Sequence, residues 1–375
     1  MLKQALGYRA FRTIGYPKLL PMNITFGLTM KCNSLCKTCN IGLNFRKNPQ
    51  VAANELTLDE YEKILKNIGH AGKWFVLSGG EPFMKQEIDK IAKLVNDNCK
   101  PDVIVIPTNG LLRDLILKRV ENILEWCKDT PRVTINLSID GIGDKHDYVR
   151  GVKGNFERSM ETFAGLKALK EKYKNLEVGV HTVVSKLNCK DFPEIYEYVE
   201  EKLKPDSYIT EIAEQRVELD SMGLPITPDY EEYKKAIDLL INGMEKKSLD
   251  IKQRFRLEYY RMVKEWLQKR TQIFPCYAGW ASAQINARGE VWSCCIRAES
   301  VGNLREHDYD LSKVWFNNKR MDKLRESIKK KECDCPLASA NYSNMLFNAG
   351  AAARIGFGVV KNINKLVYKN EVIKI

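Results

Sequence analysis

The chain has 375 residues, of which 44% are hydrophobic and 29% are charged. This length predicts one large domain with an appendage, or two domains, with enough apolar residues to bury a core. No run of apolar residues reaches the length of a membrane span, and no signal peptide or internal repeat is recognisable. Eleven cysteines are present. Because they cluster at metal-binding spacings, they indicate a reducing, cytoplasmic compartment rather than a disulfide framework.

The formal net charge of +12 is concentrated at the two ends of the sequence. Residues 1–20 carry four basic and no acidic residues, and residues 354–375 carry five basic residues and one acidic residue. This distribution indicates that the two ends contact an anionic surface, or simply that the protein is soluble and rich in lysine. A nucleic-acid substrate is not expected, because the middle of the chain is not basic and no RNA-binding module is recognisable.

Between residues 22 and 212, apolar β-branched segments alternate with helical patterns, which is typical of βα units and a parallel sheet. The predicted strands are Met22–Thr29, Trp74–Ser78, Val103–Pro107, Val133–Ile139, Glu177–Val184 and Ser207–Ile212. The predicted helices are Leu58–Ile68, Lys85–Asp97, Leu111–Cys127, Asn155–Lys174 and Asp191–Lys202. The fold class is therefore α/β, a partial (β/α)6 TIM-like barrel, and functional side chains are expected at the C-terminal ends of its strands.

The remainder of the chain has a different character. Two long helices, Tyr230–Lys247 and Phe255–Arg270, precede a predicted β-hairpin with Gly289 at its tip and a helix-rich stretch over 311–331. The predicted domain organisation is as follows: 1–20, a basic N-terminal segment; 21–215, the barrel; 216–270, a helical linker; 271–340, a small cysteine-containing domain; 341–375, a basic C-terminal tail.

Three cysteines, Cys32, Cys36 and Cys39, follow the first predicted strand. Thiolates at this spacing can bind three irons of a [4Fe–4S] cube and leave the fourth iron open to a ligand that is not protein. Zinc sites more often combine one C-x-x-C pair with a second pair. Structural zinc and ordinary buried cysteines remain alternative interpretations of the triplet.

A second motif, Ser78-Gly79-Gly80-Glu81-Pro82, follows the second predicted strand. Paired glycines allow a ligand to approach the backbone closely, and the carboxylate of Glu81 can hold an ammonium group. By itself, the motif is equally consistent with an ordinary turn between a strand and a helix.

Three further motifs follow in order: TNG at 108–110, LSIDG at 137–141 and HDYVRG at 146–151. Together, these motifs and the cysteine triplet resemble the radical S-adenosylmethionine (SAM) superfamily over roughly residues 21–215. The resemblance implies that Cys32, Cys36 and Cys39 bind a [4Fe–4S] cluster and that SAM chelates its open iron. It also implies that an electron from the cluster cleaves SAM to a 5′-deoxyadenosyl radical, which abstracts hydrogen from an unactivated carbon.

The resemblance assigns the SAM contacts to eight residues: Gly79, Gly80 and Glu81 at the methionine amino end, Ser138 and Asp140 at the ribose or carboxylate, Arg150 at a carboxylate, and Asn109 and His181 at the barrel mouth. Turn formation and a surface ion pair are the alternative roles of Ser138, Asp140 and Arg150. The sequence departs from the family at Thr38, where an aromatic residue usually contacts the adenine, so the adenine needs another apolar wall.

The small domain contains a second set of cysteines, Cys276, Cys294, Cys333 and Cys335. Their arrangement around a hairpin and a helix resembles the Twitch extension, the shorter relative of the SPASM extension, and implies one auxiliary [4Fe–4S] cluster. Cys295 is an alternative to Cys294 as a ligand, and structural zinc is the alternative to a cluster. Three other cysteines, Cys99, Cys127 and Cys189, are expected to be buried and unreactive.

Glu211, Glu214 and Arg216 follow the sixth predicted strand and are candidate substrate-binding residues, although a solvated helix start with its own ion pairs is an equal alternative. Lys361, Lys365 and Lys369 lie opposite the apolar face of a predicted basic helix, which favours peripheral membrane contact and a lipid or lipid-linked substrate. Packing of both ends on the barrel is the alternative.

Three other functions remain open: a peptide maturase, a sugar or alcohol dehydrogenase, and a non-catalytic iron–sulfur electron-transfer protein. The segment before the first strand is too short for the leader-binding domain that is frequent in peptide maturases. An external electron donor such as flavodoxin or ferredoxin is implied by the resemblance.

Overall fold

The structure is a computed structural model that describes residues 2–246 and 250–357. Its strands are β1 (Asn23–Gly27), β2 (Trp74–Ser78), β3 (Val103–Thr108), β4 (Val133–Ser138), β5 (Leu176–Val184), β6 (Ser207–Ile212), β7 (Ser282–Ile285), β8 (Glu290–Trp292) and β9 (Ser300–Asn303). The six predicted barrel strands are confirmed, with ends that differ by no more than two residues from the predicted ones.

The helices flank this sheet. They are α1 (Leu2–Ile14), α2 (Ile41–Lys47), α3 (Leu58–Ile68), α4 (Ile88–Cys99), α5 (Arg113–Trp126), α6 (Asp144–Arg150), α7 (Asn155–Lys172), α8 (Phe192–Glu197), α9 (Tyr230–Lys246), α10 (Ile251–Lys269), α11 (Leu311–Trp315), α12 (Lys319–Lys329) and α13 (Ala338–Phe347). A π-helical turn, Tyr198–Leu203, extends α8.

The nine strands form one sheet in the order β6-β5-β4-β3-β2-β1-β7-β8-β9. Strands β1 to β6 are parallel and β7 is parallel to β1, whereas β8 and β9 are antiparallel additions. Central strands such as β3 and β4 are apolar along most of their length because helices cover the sheet, as in other parallel sheets. The sheet is therefore a partial barrel that continues into the cysteine-containing region.

The first barrel helix shows how local sequence sets an element boundary. Thr57 accepts a hydrogen bond from Glu60 N, and the Glu60 side chain accepts one from Thr57 N, which is the capping box that the sequence predicts for α3. Arg305, in the turn after β9, donates to both Glu60 carboxylate oxygens, at 2.6 and 2.9 Å. The same glutamate thus begins a barrel helix and attaches the small domain to it.

Helix α1 packs on the cysteine-containing region. Tyr8 and Phe11 are buried, and the Tyr8 ring lies 5.4 Å from the ring of Phe347 in α13. Arg12 Nε donates to the carbonyl oxygen of Cys276 at 3.0 Å. The buried face of α1 is therefore covered by other parts of the protein. This agrees with the alternative that the N-terminal segment packs as a cap, although it packs on the cysteine-containing region and not on the barrel itself.

Two sequence-based interpretations of the C-terminal region need comment. The predicted boundary at residue 341 falls inside α13, whose Met345 and Phe347 are buried in the core. The predicted basic amphipathic helix around residues 359–369 lies outside the described residues. Within the described part of the chain, no helix is long and apolar enough to cross a membrane.

Candidate active site

The cysteine triplet lies in a loop between β1 and α2, at the C-terminal ends of the barrel strands, which we call the barrel mouth. Backbone hydrogen bonds from two other loops hold this segment: Leu35 N donates to Arg150 O at 3.0 Å, and Gly80 N donates to Thr29 O at 2.7 Å. All three cysteines are free thiols of intermediate exposure. The structure thus brings together the triplet, the GGEP motif and the end of α6, as the sequence predicts.

Three glycines surround the cysteine loop where a side chain would not fit. A Cβ atom on Gly42 would lie 1.8 Å from Ser34 O, one on Gly80 would lie 2.3 Å from Lys31 O, and one on Gly151 would lie 2.1 Å from Leu35 O. These distances are far inside van der Waals contact. The glycines therefore form a cradle for the loop, and this cradle fits a cluster-binding segment whose thiols must keep a fixed arrangement.

Burial controls the protonation of the triplet. Burial raises the pKa of Cys32 and of Cys39 to about 12, although the nearby Arg150 guanidinium lowers both values. Thiols with such pKa values keep their protons at neutral pH unless a metal displaces them. Iron binding at this loop is therefore expected to release protons.

Glu81 is fully buried and its carboxylate is bound by protein groups. Oε1 accepts hydrogen bonds from Thr108 Oγ1 at 2.9 Å and Phe83 N at 3.2 Å, and Oε2 accepts one from Asn109 N at 2.8 Å. Burial raises the pKa of Glu81, and these hydrogen bonds oppose the shift. In this structure Glu81 therefore joins the GGEP and TNG motifs, and its contact with the SAM amino group stays a prediction.

Asp140 and Arg150 form an ion pair beside the cysteine loop. Arg150 Nη1 donates to Asp140 Oδ2 at 3.0 Å, and Val183 N donates to Asp140 Oδ1 at 2.8 Å. The Nε atom of Arg150 is buried and has no hydrogen-bond partner within the described structure. A buried guanidinium nitrogen without an acceptor fits the carboxylate of SAM, because such a group is costly to leave unpaired.

His146 supports this ion pair from behind. Asp140 N donates to His146 Nδ1 at 3.1 Å, so Nε2 carries the proton and donates to Asn155 Oδ1 at 3.2 Å. Burial and, to a smaller extent, the positive charge of Arg150 together lower the pKa of His146 to about 4. The imidazole is therefore neutral and serves to position the loop that contains Asp140.

Ser138 and His181 lie side by side at the mouth, because they are paired in the register of β4 and β5. His181 Nε2 is buried without a hydrogen bond and lies 3.9 Å from Glu211 Oε1. Asn109 is buried and its Nδ2 donates to Asn33 Oδ1, inside the cysteine loop, at 2.8 Å. The eight predicted SAM contacts thus lie on strands, loops and a helix end around one mouth, and their roles stay predictions.

Residues 213–221, which follow β6 and which we call the rim segment, carry most of the candidate substrate residues. Arg216 Nη2 lies 3.1 Å from both Glu211 Oε2 and Glu214 Oε1. A third carboxylate, Glu218, accepts a hydrogen bond from Gln284 Nε2 in β7. Burial raises the pKa of Glu214 to about 7, and Arg216 lowers it. The trio predicted from sequence thus forms ion pairs in which Glu214 is buried and Glu211 and Arg216 are half-buried, and Glu218 is a fourth charged residue of this region.

The second cysteine set lines a single pocket between the hairpin and α13. Its cysteines are Cys276, Cys294, Cys333 and Cys335. Cys295 does not line this pocket: it is buried, packs with Leu337 and Ala340, and interacts electrostatically with Glu218 and Arg216. The geometry therefore favours Cys294 over Cys295 as the cluster ligand, a choice that the sequence left open.

The remaining cysteines, Cys99, Cys127 and Cys189, are buried free thiols, as expected. Among residues 2–246 and 250–357, no group of three or more His, Cys, Asp or Glu side chains is arranged so that it could hold a metal ion.

Sequence reasoning missed several residues of the site. Glu55 accepts hydrogen bonds from Thr29 Oγ1 at 2.7 Å and from Met30 N at 2.9 Å, immediately before the cysteine loop. Asn188 Nδ2 donates to Asp140 O at 2.9 Å. Neither residue lies in a motif, so no local pattern identifies it. Asn33, by contrast, lies between Cys32 and Cys36, so its place inside the cysteine motif could have identified it.

Comparison with known proteins agrees with this geometry. Residues 27–199 match the model of the radical SAM superfamily, and residues 276–336 match SPASM, an iron–sulfur cluster-binding domain. The chain is therefore a radical SAM enzyme with a SPASM domain, in a family that uses SAM, a [4Fe–4S] cluster and auxiliary iron–sulfur clusters. The matched model is that of SPASM rather than Twitch, and the number of auxiliary clusters stays a prediction.

Individual relatives are distant. The chain is 25% identical over 320 residues to an AdoMet-dependent heme synthase of Methanosarcina barkeri, which covers 82% of this chain and 85% of the relative. It is 23% identical over 312 residues to the subtilosin biosynthesis protein AlbA of Bacillus subtilis, covering 81% and 61%. The solved structure of anSMEcpe with bound AdoMet shares the fold, with a TM-score of 0.60, 16% identity and coverage of 92% and 99%.

The glycine cradle gives a first prediction. Gly80→Ala is expected to displace the cysteine loop, because its Cβ would lie 2.3 Å from Lys31 O and 3.0 Å from Cys32 Cβ. The variant should bind about four fewer irons per chain after anaerobic reconstitution, the content of one [4Fe–4S] cluster. Gly356→Ala is the matched control, because its Cβ would meet no atom of the described residues within 4 Å. Equal iron content in both variants would contradict the cradle.

His146 gives a pH-dependent prediction. The histidine stays neutral in the folded state, with a pKa of about 4, and is protonated near its ordinary value after unfolding. Its contribution to stability is therefore present above pH 6.5 and is lost as the pH falls toward 4, by about 2 kcal/mol between pH 7.5 and 5. Urea unfolding of the metal-free chain should show this loss in the wild type and a smaller one in His146→Asn.

Proposed function

We propose that Cys32, Cys36 and Cys39 hold the SAM-cleaving cluster and that Cys276, Cys294, Cys333 and Cys335 hold one auxiliary [4Fe–4S] cluster. When bound, the first cluster and SAM supply the radical that abstracts hydrogen from the substrate. The arrangement of the thiols supports this assignment, since each set lies in one loop or pocket with its protein contacts in place.

The observation that carries the proposal is that the rim segment joins both thiol sets. At one end, Asn40, next to Cys39, donates through its backbone N to Leu219 O at 2.9 Å and through Nδ2 to Asp220 O at 2.6 Å. At the other end, Glu218 accepts a hydrogen bond from Gln284 Nε2 in β7, the strand that begins the hairpin before Cys294. The substrate is therefore expected to bind beside this segment, between the two clusters.

The charge of the rim segment constrains the substrate. Glu211 and Glu214 lie 3.1 Å from a single guanidinium, that of Arg216, and Glu218 interacts with it electrostatically. Glu214 is buried, and the other three side chains are half-buried. Burial of unbalanced carboxylates costs several kcal/mol per charge unless a proton or a cation neutralises them. Burial raises the pKa of Glu214 to about 7 and raises that of Glu218 as well, so these carboxyl groups take up a proton when no cation is bound. A substrate that presents a protonated amine, as a peptide or an amino compound does, would pair with their ionised forms.

This charge argument separates the candidate substrate classes. AdoMet-dependent heme synthase and Fe-coproporphyrin III synthase of Methanosarcina barkeri are named for tetrapyrroles, whose carboxylates carry the same sign as the rim segment. AlbA and the sporulation killing factor maturation protein SkfB of Bacillus subtilis are named for peptide products. A lipid substrate would instead depend on residues 359–369. We therefore propose an amine-bearing, peptide-type substrate.

SAM cleavage is the first test. The full chain, reconstituted anaerobically with iron and sulfide, should contain about eight irons and should form 5′-deoxyadenosine from SAM and dithionite. Replacement of Cys32, Cys36 and Cys39 together by Ala should abolish 5′-deoxyadenosine and leave about four irons. An electron-transfer protein without catalysis would bind iron but would form no 5′-deoxyadenosine, and zinc in place of iron would refute both cluster assignments.

The substrate class can be tested without a known substrate. Metabolites from a cell extract are separated into a cation-exchange fraction, an anion-exchange fraction and an organic lipid extract, and each is added to the reconstituted protein with SAM and dithionite. We expect only the cation-exchange fraction to raise 5′-deoxyadenosine formation, by roughly tenfold over the rate without substrate.

Two controls sharpen this experiment. Iron coproporphyrin III is added as a defined anionic tetrapyrrole. The Arg216→Gln variant is compared with the wild type, because loss of the guanidinium makes the rim segment more negative. Stimulation by the anion-exchange fraction or by iron coproporphyrin III would favour a tetrapyrrole, and stimulation by the lipid extract alone would favour a lipid. Either result would overturn the amine-bearing substrate.

A further inference from the structure

Helix α1 carries apolar residues on two sides. Ala5, Tyr8 and Phe11 are buried, whereas Leu6 and Ile14 are 56% and 76% exposed. Residues four apart share one face of a helix, and Leu6 and Ile14 are two such steps apart, so both lie on the side of α1 that is turned away from the core. Neither the candidate active site nor the cysteine pocket uses this exposed pair.

The exposed apolar surface continues past the end of α1. Tyr16 is the second residue after the helix and is 72% exposed. Single large apolar side chains are common on protein surfaces, but here three of them lie within residues 6–16. A group of this kind indicates a surface that contacts a partner or a membrane.

Positively charged side chains accompany this apolar group. Arg9 lies between Leu6 and Ile14 in the helix, and Lys18 follows Tyr16; both cations are exposed. Residues 1–20 contain no acidic residue, and none of the ion pairs formed by the described residues includes either cation. We call these five residues, Leu6, Arg9, Ile14, Tyr16 and Lys18, the α1 surface.

Helix α12 extends the positive charge of the α1 surface. Lys18 Nζ donates a hydrogen bond to Asn317 Oδ1 at 2.6 Å, which places Lys18 beside the start of α12. The first two residues of that helix, Lys319 and Arg320, are exposed. The cations at the end of the N-terminal segment therefore lie next to further cations and not next to carboxylates that would neutralise them.

The two helices also approach each other at the other end of α12. The exposed Lys329 of α12 and the half-buried Arg12 of α1 lie over the same ring, that of Trp280, with Nζ and Cζ at 5.7 and 5.4 Å from its centre. Within the described part of the chain, neither cation forms an ion pair with a carboxylate. Both ends of α12 thus add positive charge beside α1.

We propose that the α1 surface docks the protein on an anionic lipid membrane. Leu6, Ile14 and Tyr16 enter the boundary between headgroups and acyl chains, where apolar and amphipathic side chains are stabilised. Arg9 and Lys18 lie at the level of the lipid phosphates, which supply the negative charge that the chain lacks here. The inference goes beyond the function proposed above and does not depend on it.

The combination of charge and shape favours a membrane over the other occupants. A second copy of the chain, docked through the same surface, would bring like charges together, because a two-fold interface places the same residues on both sides. An acidic protein would match the charge, but it would need a shape complementary to apolar side chains that project from a helix and its following turn. Lipids adapt to such side chains. An anionic membrane also concentrates amine-bearing compounds, the substrate class proposed above.

Vesicle sedimentation tests the docking. The reconstituted full-length protein is mixed with vesicles of phosphatidylcholine and phosphatidylglycerol in equal amounts, or with vesicles of phosphatidylcholine alone. We expect binding to the anionic vesicles and roughly tenfold weaker binding to the neutral ones. Added salt should weaken binding to the anionic vesicles, because it screens exposed charges. Absence of binding to the anionic vesicles, or equal binding to both kinds, would overturn the proposal.

An apolar double variant assigns the contact to α1. Leu6→Ser combined with Ile14→Ser is expected to lower the partition of the protein onto anionic vesicles roughly tenfold, because two apolar side chains no longer leave water. The matched control is Leu239→Ser combined with Ile251→Ser, which changes the same residue types at 38% and 53% exposed positions of α9 and α10. The control should bind as the wild type does, and an equal loss in both double variants would contradict the assignment.

A charge variant tests the cations separately. Arg9→Gln combined with Lys18→Gln should weaken binding to the anionic vesicles roughly twentyfold and leave the weak binding to neutral vesicles unchanged. Urea unfolding of each variant should match that of the wild type, since the substituted side chains are exposed. Binding at the wild-type level in both α1 double variants would assign the membrane contact to another part of the chain and would overturn the proposal.

Two measurements without lipid distinguish the other occupants. Sedimentation velocity reports self-association, and a dimer that the Leu6 and Ile14 substitutions abolish would make a second copy the occupant. Polyglutamate serves as an acidic polypeptide probe, and its binding in the absence of vesicle binding would indicate an acidic protein partner. Either result would overturn the membrane. We expect the protein to remain a monomer and to bind anionic vesicles.

Discussion

The arrangement of the active site depends on backbone packing around one irregular loop. The cysteine loop has no helix or strand of its own between β1 and α2, so its shape comes from hydrogen bonds to the ends of β2 and α6. Gly42, Gly80 and Gly151 allow this contact because a Cβ atom on any of them would overlap the loop. Since the loop orients three thiols, a single methyl group at these positions is enough to disturb a cofactor.

The charged pair Asp140 and Arg150 also holds separate parts of the mouth together. The Asp140 carboxylate accepts hydrogen bonds from Arg150 and from the backbone of Val183, and Asp140 N donates to His146, so one residue after β4 connects helix α6 with strand β5. Its role as a turn and ion-pair residue is therefore well supported, while Arg150 keeps a free Nε for a ligand. Structural support and ligand binding are divided between the two partners of one ion pair.

Much of the fold was predictable from sequence because its signals are local. Strands β2 and β6 and helix α3 begin and end where the apolar periodicity and the Thr57 capping box predict. The missed elements lack such signals: α1 contains Gly7 and a poor apolar period, and it is stabilised by packing against Phe347. The continuation of the barrel sheet through β7 was also missed, since parallel pairing with β1 joins residues about 260 positions apart.

The sequence by itself determined the chemistry, because the spacing of Cys32, Cys36 and Cys39 and the motifs that follow successive strands define a cluster and its nucleoside ligand. Only the tertiary structure gives a reason to prefer Cys294 over Cys295, because Cys294 lines the pocket of the other three cysteines and Cys295 does not. It also decided that Glu218 joins Arg216 and its carboxylates. Spacing along the chain records which residues are near in sequence, whereas side-chain direction and buried charge depend on contacts between distant segments.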